Sequence, residues 1–315
     1  MNYTHFFCVP FTGLGLHNGF RGSRWLQNRI EVFEKFVVPS LLAQTNKDFI
    51  VWVAWRPEEE DNAQVKALYA RLRETHLEVV FTFGGILFWD DKYPNEVAAE
   101  RLLSALRVSL PVLEPLVKTD KVLVTLQPSD DMYLPDIAEH LQNWFSRAES
   151  PSAAGYRKGY IMNYQTRELA EYLGTDDRTP EAIKNYPDTL PPFYTLLFSR
   201  EDFLDPEKHF DLIKGIKSHE DIVKYPNFTS LDSRGFVVGC HGMNISTAYN
   251  HPFRGRILGQ QEASDLMFSL GILDVEPVQF KPSLRSRVRT FINWLPFRNV
   301  LKWMYGKLPQ KLRIL

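Results

Sequence analysis

Two adjacent carboxylates, Asp130 and Asp131, close the stretch Lys-Val-Leu-Val-Thr-Leu-Gln-Pro-Ser-Asp-Asp-Met-Tyr that runs from Lys121 to Tyr133. Val122 to Leu126 has the length and β-branched content of a buried strand, so the acids fall in the turn after it. Carboxylates there are costly to bury unless paired or bound to a metal, and ligands collect at the carboxyl ends of open α/β sheets. Such a pair suits a divalent cation, Mg2+ or Mn2+, that would in turn hold a diphosphate. The same residues also suit an Asx turn or a helix N-cap.

His241 stands at the end of a second apolar run, Phe236 to Cys240, with Gly242 after it. Backbone without a side chain beside an imidazole allows close approach to a phosphate, and Asn244 could hydrogen-bond phosphate or sugar. A hydrogen-bonded structural histidine would read the same way. Glu220 and Asp221 form another acidic pair, suited to taking a proton from an attacking hydroxyl or to complementing a helix dipole in a first turn. Arg21, Arg24 and Arg29 follow the first apolar run and could neutralise phosphate, though surface arginines look alike in sequence. No GxGxxG or Walker A pattern is present, so dinucleotide and ATP use have no motif behind them.

The elements that must position these groups alternate. His5 to Thr12, Phe49 to Trp55, Leu77 to Phe83 and Val122 to Leu126 read as strands; Trp25 to Ala43, Glu58 to Thr75 and Asn95 to Val108 read as the helices between them. Pro39 should end or kink the first helix. Strand and helix in alternation predict βαβ units and a mostly parallel sheet flanked by helices. Later, Asp136 to Arg147 reads as helix, Gly155 to Gln165 and Thr195 to Phe198 as strands, Thr175 to Pro192 as loop, and Ser218 to Val223 as a helix start.

At 315 residues with a net charge of −1, the chain can bury a large core and offers nucleic acid no basic surface overall. Two cysteines, Cys8 and Cys240, without CxxC spacing fit a reduced compartment. The first residues lack the basic and apolar regions of a signal peptide, and no run is long enough to span a bilayer. After Glu276 there are nine Lys or Arg and no acid. Within that tail Leu284, Val288, Phe291, Ile292 and Leu295 keep helical spacing among Arg285, Arg287 and Arg289. A second segment carries Trp303 and Lys302 after Trp294 and Pro296. Two short basic amphipathic helices of this kind suit an anionic membrane surface, with Arg285, Arg289, Trp294, Lys302 and Trp303 as the contacts; packing on the protein's own body is the other reading. The organisation expected is one catalytic-size domain, residues 1–280, and a basic tail, residues 281–315.

The order of several blocks resembles the opening of GT-A fold glycosyltransferases. A helix ending Pro39-Ser40-Leu41-Leu42-Ala43-Gln44-Thr45 precedes the second strand. More closely, the chain is similar to the bacterial rhamnosyltransferase group, which has an Asp-x-Asp-Asp motif after a strand. Leu190-Pro191-Pro192-Phe193-Tyr194-Thr195 and Val238-Gly239-Cys240-His241-Gly242-Met243-Asn244-Ile245-Ser246 resemble later segments of that group. Pro128 departs from the motif, because it stands where the group has its first acid.

The resemblance implies a GT-A-like fold and an inverting transfer of a sugar, rhamnose by the family's label, from a nucleotide-sugar donor. The acceptor would be a saccharide or lipid-linked saccharide of a surface polysaccharide. It implies a metal site of Asp130, supported by Asp131 and completed by His241, and a base in Asp221 with Glu220 as the fallback. Arg21, Arg24, Gly84 and Asn244 would face the donor. The cysteine usage, the lack of a signal peptide and the basic tail together predict a place in the cytoplasm, on the inner face of the membrane. Two alternatives accompany this reading: a metal-dependent phosphoesterase, and a non-catalytic saccharide-binding relative whose donor site decayed at Pro128.

Overall fold

β1 (Thr4–Pro10) is buried along its whole length and sits in the middle of the sheet. The structure is a computed structural model that describes residues 3–11, 23–85, 94–174, 193–217, 219–241, 244, 249–250 and 253–280. Arg21, the segment Thr175 to Pro192 and the basic tail with Arg285, Arg289, Trp294, Lys302 and Trp303 lie outside those residues. β1 pairs in parallel with β2 (Ile50–Ala54) and with β4 (Lys121–Leu126), and β2 pairs in parallel with β3 (Glu78–Thr82). The order β3-β2-β1-β4 therefore brings four carboxyl ends to one edge, with Asp130 and Asp131 in the turn that leaves it.

Beyond β4 the sheet becomes mixed. β8 (Tyr194–Ser199) runs antiparallel to β4, and β6 (Ser152–Asn163) antiparallel to β8. β7 (Leu169–Tyr172) and β10 (Arg254–Ile257) extend it antiparallel, whereas β9 (Phe228–Cys240) lies parallel to β6. The two-residue β5 (Met132–Tyr133), directly after the acidic turn, pairs antiparallel with Val237 and Phe236 of β9. The α/β class with flanking helices holds, and the mostly parallel sheet is replaced by a parallel half joined to a largely antiparallel one.

Alternating strand residues feed two cores. Phe7, Val9, Val51 and Val53 face one side, against α1 (Ser23–Val32), α3 (Ala63–Arg73) and α5 (Ile137–Phe145). Phe6, Cys8, Ile50 and Trp52 face the other, against α4 (Asn95–Leu113) and the pair α6 (Arg200–Leu204) and α7 (Pro206–Ile213). A third cluster joins Phe36, Met132, Met162, Tyr164 and Val237 to Met267 of α8 (Gln260–Ser269). Both cysteines are free and buried.

The first helix does not stop at Pro39. α1 passes into a π-helical turn (Phe33–Val37) and then α2 (Val38–Leu42), with the Val38 N–H bonded to the Phe33 carbonyl. Proline lacks an N–H and crowds the carbonyl four residues back, and the wider π turn before it relieves that crowding. Among the described residues no helix is long and apolar enough to cross a membrane.

Candidate functional site

The acidic turn is tied down from within. Gln127 continues the β1–β4 ladder through its N–H to the Cys8 carbonyl, and its side-chain amide donates to the carbonyls of Pro128 and Asp131 at 2.8 Å each. The Tyr133 hydroxyl donates to the Leu126 carbonyl across the same turn. Outside it, the Tyr164 hydroxyl donates to the Asp130 carbonyl at 2.9 Å, and the Tyr164 ring stacks on Phe36 at 3.7 Å between centroids. Gly239 of β9 is pressed against both, since a Cβ there would lie 2.2 Å from the Asp130 carbonyl oxygen and 2.4 Å from the Tyr164 ring.

The two carboxylates part ways. Asp131 turns inward, where it is buried and its Oδ1 accepts the Gly239 N–H at 2.8 Å. Burial, and then the neighbouring charge of Asp130, push the Asp131 carboxyl well above the usual carboxylate range. Asp130 turns toward α1 and the end of β9. Its Oδ2 meets the Arg29 guanidinium, accepts the His241 Nε2–H at 3.2 Å and accepts the Asn244 side-chain amide at 3.3 Å. Burial would raise the Asp130 carboxyl, yet the Arg29 charge and the His241 hydrogen bond hold it well below the usual range.

His241 ends β9 and is 2% exposed. Its N–H is capped by the Asn244 Oδ1 at 2.7 Å, and Asn244 also donates to the Gly239 carbonyl, so one amide side chain ties down the end of the strand. With Nε2–H directed at Asp130, Nδ1 carries a lone pair and is buried without a hydrogen-bond partner among the described residues. Burial lowers the His241 pKa, opposed by the Asp130 hydrogen bond. The ring lies 6.5 Å from Tyr164 and meets Phe280 edge-on at 5.9 Å.

Arg29 is the partner that spacing alone underrated. It projects from the buried face of α1 shared by Trp25, Leu26 and Ile30, lies 5.5 Å from the Trp25 ring and is 4% exposed. An arginine at i, i+3 and i+4 from buried apolar residues is the signal that marks it. Arg24, one turn earlier, is exposed.

Other expected groups lie elsewhere. Asp221 sits in a 3-10 turn (His219–Lys224) before β9, where its carboxylate accepts the Lys217 N–H at 3.1 Å and pairs with Lys224. β9 separates this turn from His241 by thirteen strand residues, on the order of 40 Å at about 3.3 Å per residue. Glu220 lies in the same turn and is exposed. Gly84 packs on α4, where a Cβ would fall 2.4 Å from the Ala105 carbonyl and 2.3 Å from the Ser109 hydroxyl; that contact alone requires a glycine.

The residues present do not fit a divalent cation. Among the described residues no three His, Cys, Asp or Glu side chains are grouped to hold one. Asp131 faces Gly239, and Asp130 and His241 are bonded to each other. The Arg29 guanidinium already meets Oδ2 of Asp130, and its charge offsets the carboxylate's pull on a doubly charged ion. Mg2+ further demands near-octahedral oxygen ligands, which this donor set does not offer.

Residues 21–82, from the strand-proximal end of α1 through β3, match the family model described as "Putative rhamnosyl transferase". No curated protein matches the chain. Among solved structures, S. aureus TarS 1-349 is similar at 12% identity, with 98% of this chain and 76% of that chain covered and a TM-score of 0.39. The same protein in complex with UDP covers 97% and 78% at 12% identity and a TM-score of 0.35. Mouse xyloside xylosyltransferase 1, apo form, covers 73% and 85% at 15% identity and a TM-score of 0.35.

Proposed function

We propose that the protein is a nucleotide-sugar-dependent glycosyltransferase that works at the carboxyl edge of β3-β2-β1-β4. The observation that carries the reading is the convergence of Arg29, Asp130, His241 and Asn244, from three separate parts of the chain, at the edge where an open α/β sheet binds ligands. The match of residues 21–82 to a rhamnosyltransferase family model supports the same reaction class. In the transfer, the anomeric carbon's bond to the diphosphate breaks and a bond to the acceptor oxygen forms, with the acceptor proton passing to a base. Rhamnose is the sugar suggested by the family description, inversion the stereochemical course, and a saccharide or lipid-linked saccharide of a surface polysaccharide the acceptor.

The site's parts divide this work by charge. Arg29 brings a cation to the donor's phosphates, Asp130 holds the guanidinium and the His241 ring in place, and Asn244 holds the main chain of His241 and Gly239. Asp221 remains the base only if β9 is bridged by movement, because it stands at the strand's other end. The basic tail rests on anionic lipid of the inner membrane face in this reading, which would keep the enzyme beside a lipid-linked acceptor.

A screen of nucleotide-sugars by mass spectrometry, with and without Mn2+, tests the proposal against the Asp130→Ala variant. Transfer of one sugar by the wild type, abolished in the variant, is the expected result. Release of free phosphate without transfer would instead mark a phosphoesterase. A folded protein without affinity for any nucleotide-sugar would mark a saccharide-binding relative whose donor site decayed at Pro128.

A further inference from the structure

We infer that Arg29 is the resident cation of this site, standing against Asp130 where a divalent ion would otherwise sit, so that a nucleoside diphosphate binds here without metal. The inference rests on the nucleotide-sugar reading above and goes beyond it, because it assigns the charge that neutralises the diphosphate.

The contacts of Asp130 carry the argument. A metal-binding carboxylate keeps lone pairs for its ion, whereas Oδ2 of Asp130 is met by three donors, Arg29 Nη1, His241 Nε2 and Asn244 Nδ2. All three would have to leave for an ion to take that oxygen. The second acid does not compensate, because the Asp131 Oδ1 is committed to the Gly239 N–H.

Arg29 itself has no place in an ordinary helix core. Its side chain is 3% exposed on a face otherwise made of Trp25, Leu26, Ile30 and Phe33, and a charge so placed is costly unless it is paired. Asp130 alone would satisfy the pairing, and a lysine would then serve as well. A guanidinium offers five N–H donors in a plane, and the contact with Asp130 is through Nη1. Its remaining edge is suited to bidentate contact with phosphate oxygens. The Asp130 carboxylate is 16% exposed, so the pair reaches solvent on its carboxylate side.

Isothermal titration of the full chain with UDP and with dTDP, in excess EDTA and in excess MnCl2, tests this. The wild type should bind at least one of them with Kd values that agree within about twofold in the two buffers. Arg29→Met should weaken binding by at least about tenfold without rescue by Mn2+, and Arg29→Lys, which keeps the charge but not the fork, should fall between. Circular dichroism reports whether each variant folds. A Mn2+ titration of the wild type by electron paramagnetic resonance needs no variant and should show no site filled below about millimolar metal. Binding that EDTA abolishes, a tight Mn2+ site on the wild type, or wild-type affinity in a folded Arg29→Met variant would each overturn the inference while leaving the nucleotide-sugar reading intact. Failure of both nucleotides to bind in either buffer would overturn that reading and the inference with it.

Discussion

Gly239 and the main chain of Asp130 are in such close contact that any side chain on the glycine would fall 2.2 Å from the Asp130 carbonyl oxygen. β5 pairs with β9 at Met132–Val237, and the close approach extends that pairing past the last ladder partners to the acidic turn itself. The position of Asp130 is thus set by a strand more than a hundred residues further along the chain.

Gly239→Ala should therefore destabilise the protein by about 2–3 kcal/mol, because the atoms in the way are backbone and a buried aromatic ring that cannot swing aside. Urea unfolding measures the loss. A variant as stable as the wild type would show that β5 and β9 can separate at no cost.

Tyr164 holds the same carbonyl by a hydrogen bond and packs by its ring. Tyr164→Phe removes only the bond to the Asp130 carbonyl and should cost about 1 kcal/mol. Tyr164→Ala also removes the stack on Phe36 and should cost about 3–5 kcal/mol. Equal losses for the two variants would mean that the stack contributes nothing.

Two buried histidines make stability fall in acid. His5 accepts the Gln142 amide on Nδ1 and directs Nε2–H to the Thr125 hydroxyl at 2.7 Å, and His209 bonds the Phe203 carbonyl through Nδ1–H. Burial lowers His5 to about 3 and His209 to about 4, from an ordinary value near 6.5. The unfolded chain thus binds more protons than the folded one below about pH 6.5, so this contribution is complete above that pH and is lost as pH falls toward the folded values. Between pH 7.5 and 5.0 each histidine should cost about 2 kcal/mol in urea unfolding. Asp131, with its raised pKa, acts with the opposite sign, losing stability as pH rises above about 4. The comparison with His209→Gln isolates the histidine: that variant should lose about 2 kcal/mol less over the same interval than the wild type. An identical pH dependence would refute the assignment.

Removal of residues 282–315 should abolish cosedimentation with vesicles that contain anionic phospholipid while leaving thermal unfolding of the remainder unchanged. Each Lys or Arg near such a surface is worth about 1 kcal/mol, so binding by the full chain should fall steeply with added salt. A lowered melting temperature after truncation, without any vesicle binding by the full chain, would show instead that the tail packs on the body.

The parallel half of the fold was readable in the sequence because β1, β2 and β4 are buried on both faces and announce themselves as continuous apolar runs. β9 was not: only Phe236 to Cys240 looks apolar, since Thr229, Asp232, Ser233 and Arg234 are exposed and make the first half of a thirteen-residue strand read as loop. The helices α6 to α8 were hidden for a similar reason, being short and largely solvent-facing. At the site, Asp130, His241 and Asn244 were found as separate motifs that do meet. Their true organiser, Arg29, stood in plain view as a charge inside an apolar helical stripe, and its meaning depended on a partner that no local pattern reveals. Gln127 and Tyr164 carried no signal, because their role is to bond main-chain carbonyls.

The π-helical turn at Phe33–Val37 gives the helix that bears Arg29 one residue more than an unbroken α-helix of the same length. A residue is worth about 100° of rotation. The turn thus sets the phase between Arg29, which meets Asp130, and Phe36, which stacks on Tyr164. Deleting a single residue from that turn would leave the helix intact and its composition almost unchanged, yet would turn Arg29 a quarter-circle away from its carboxylate.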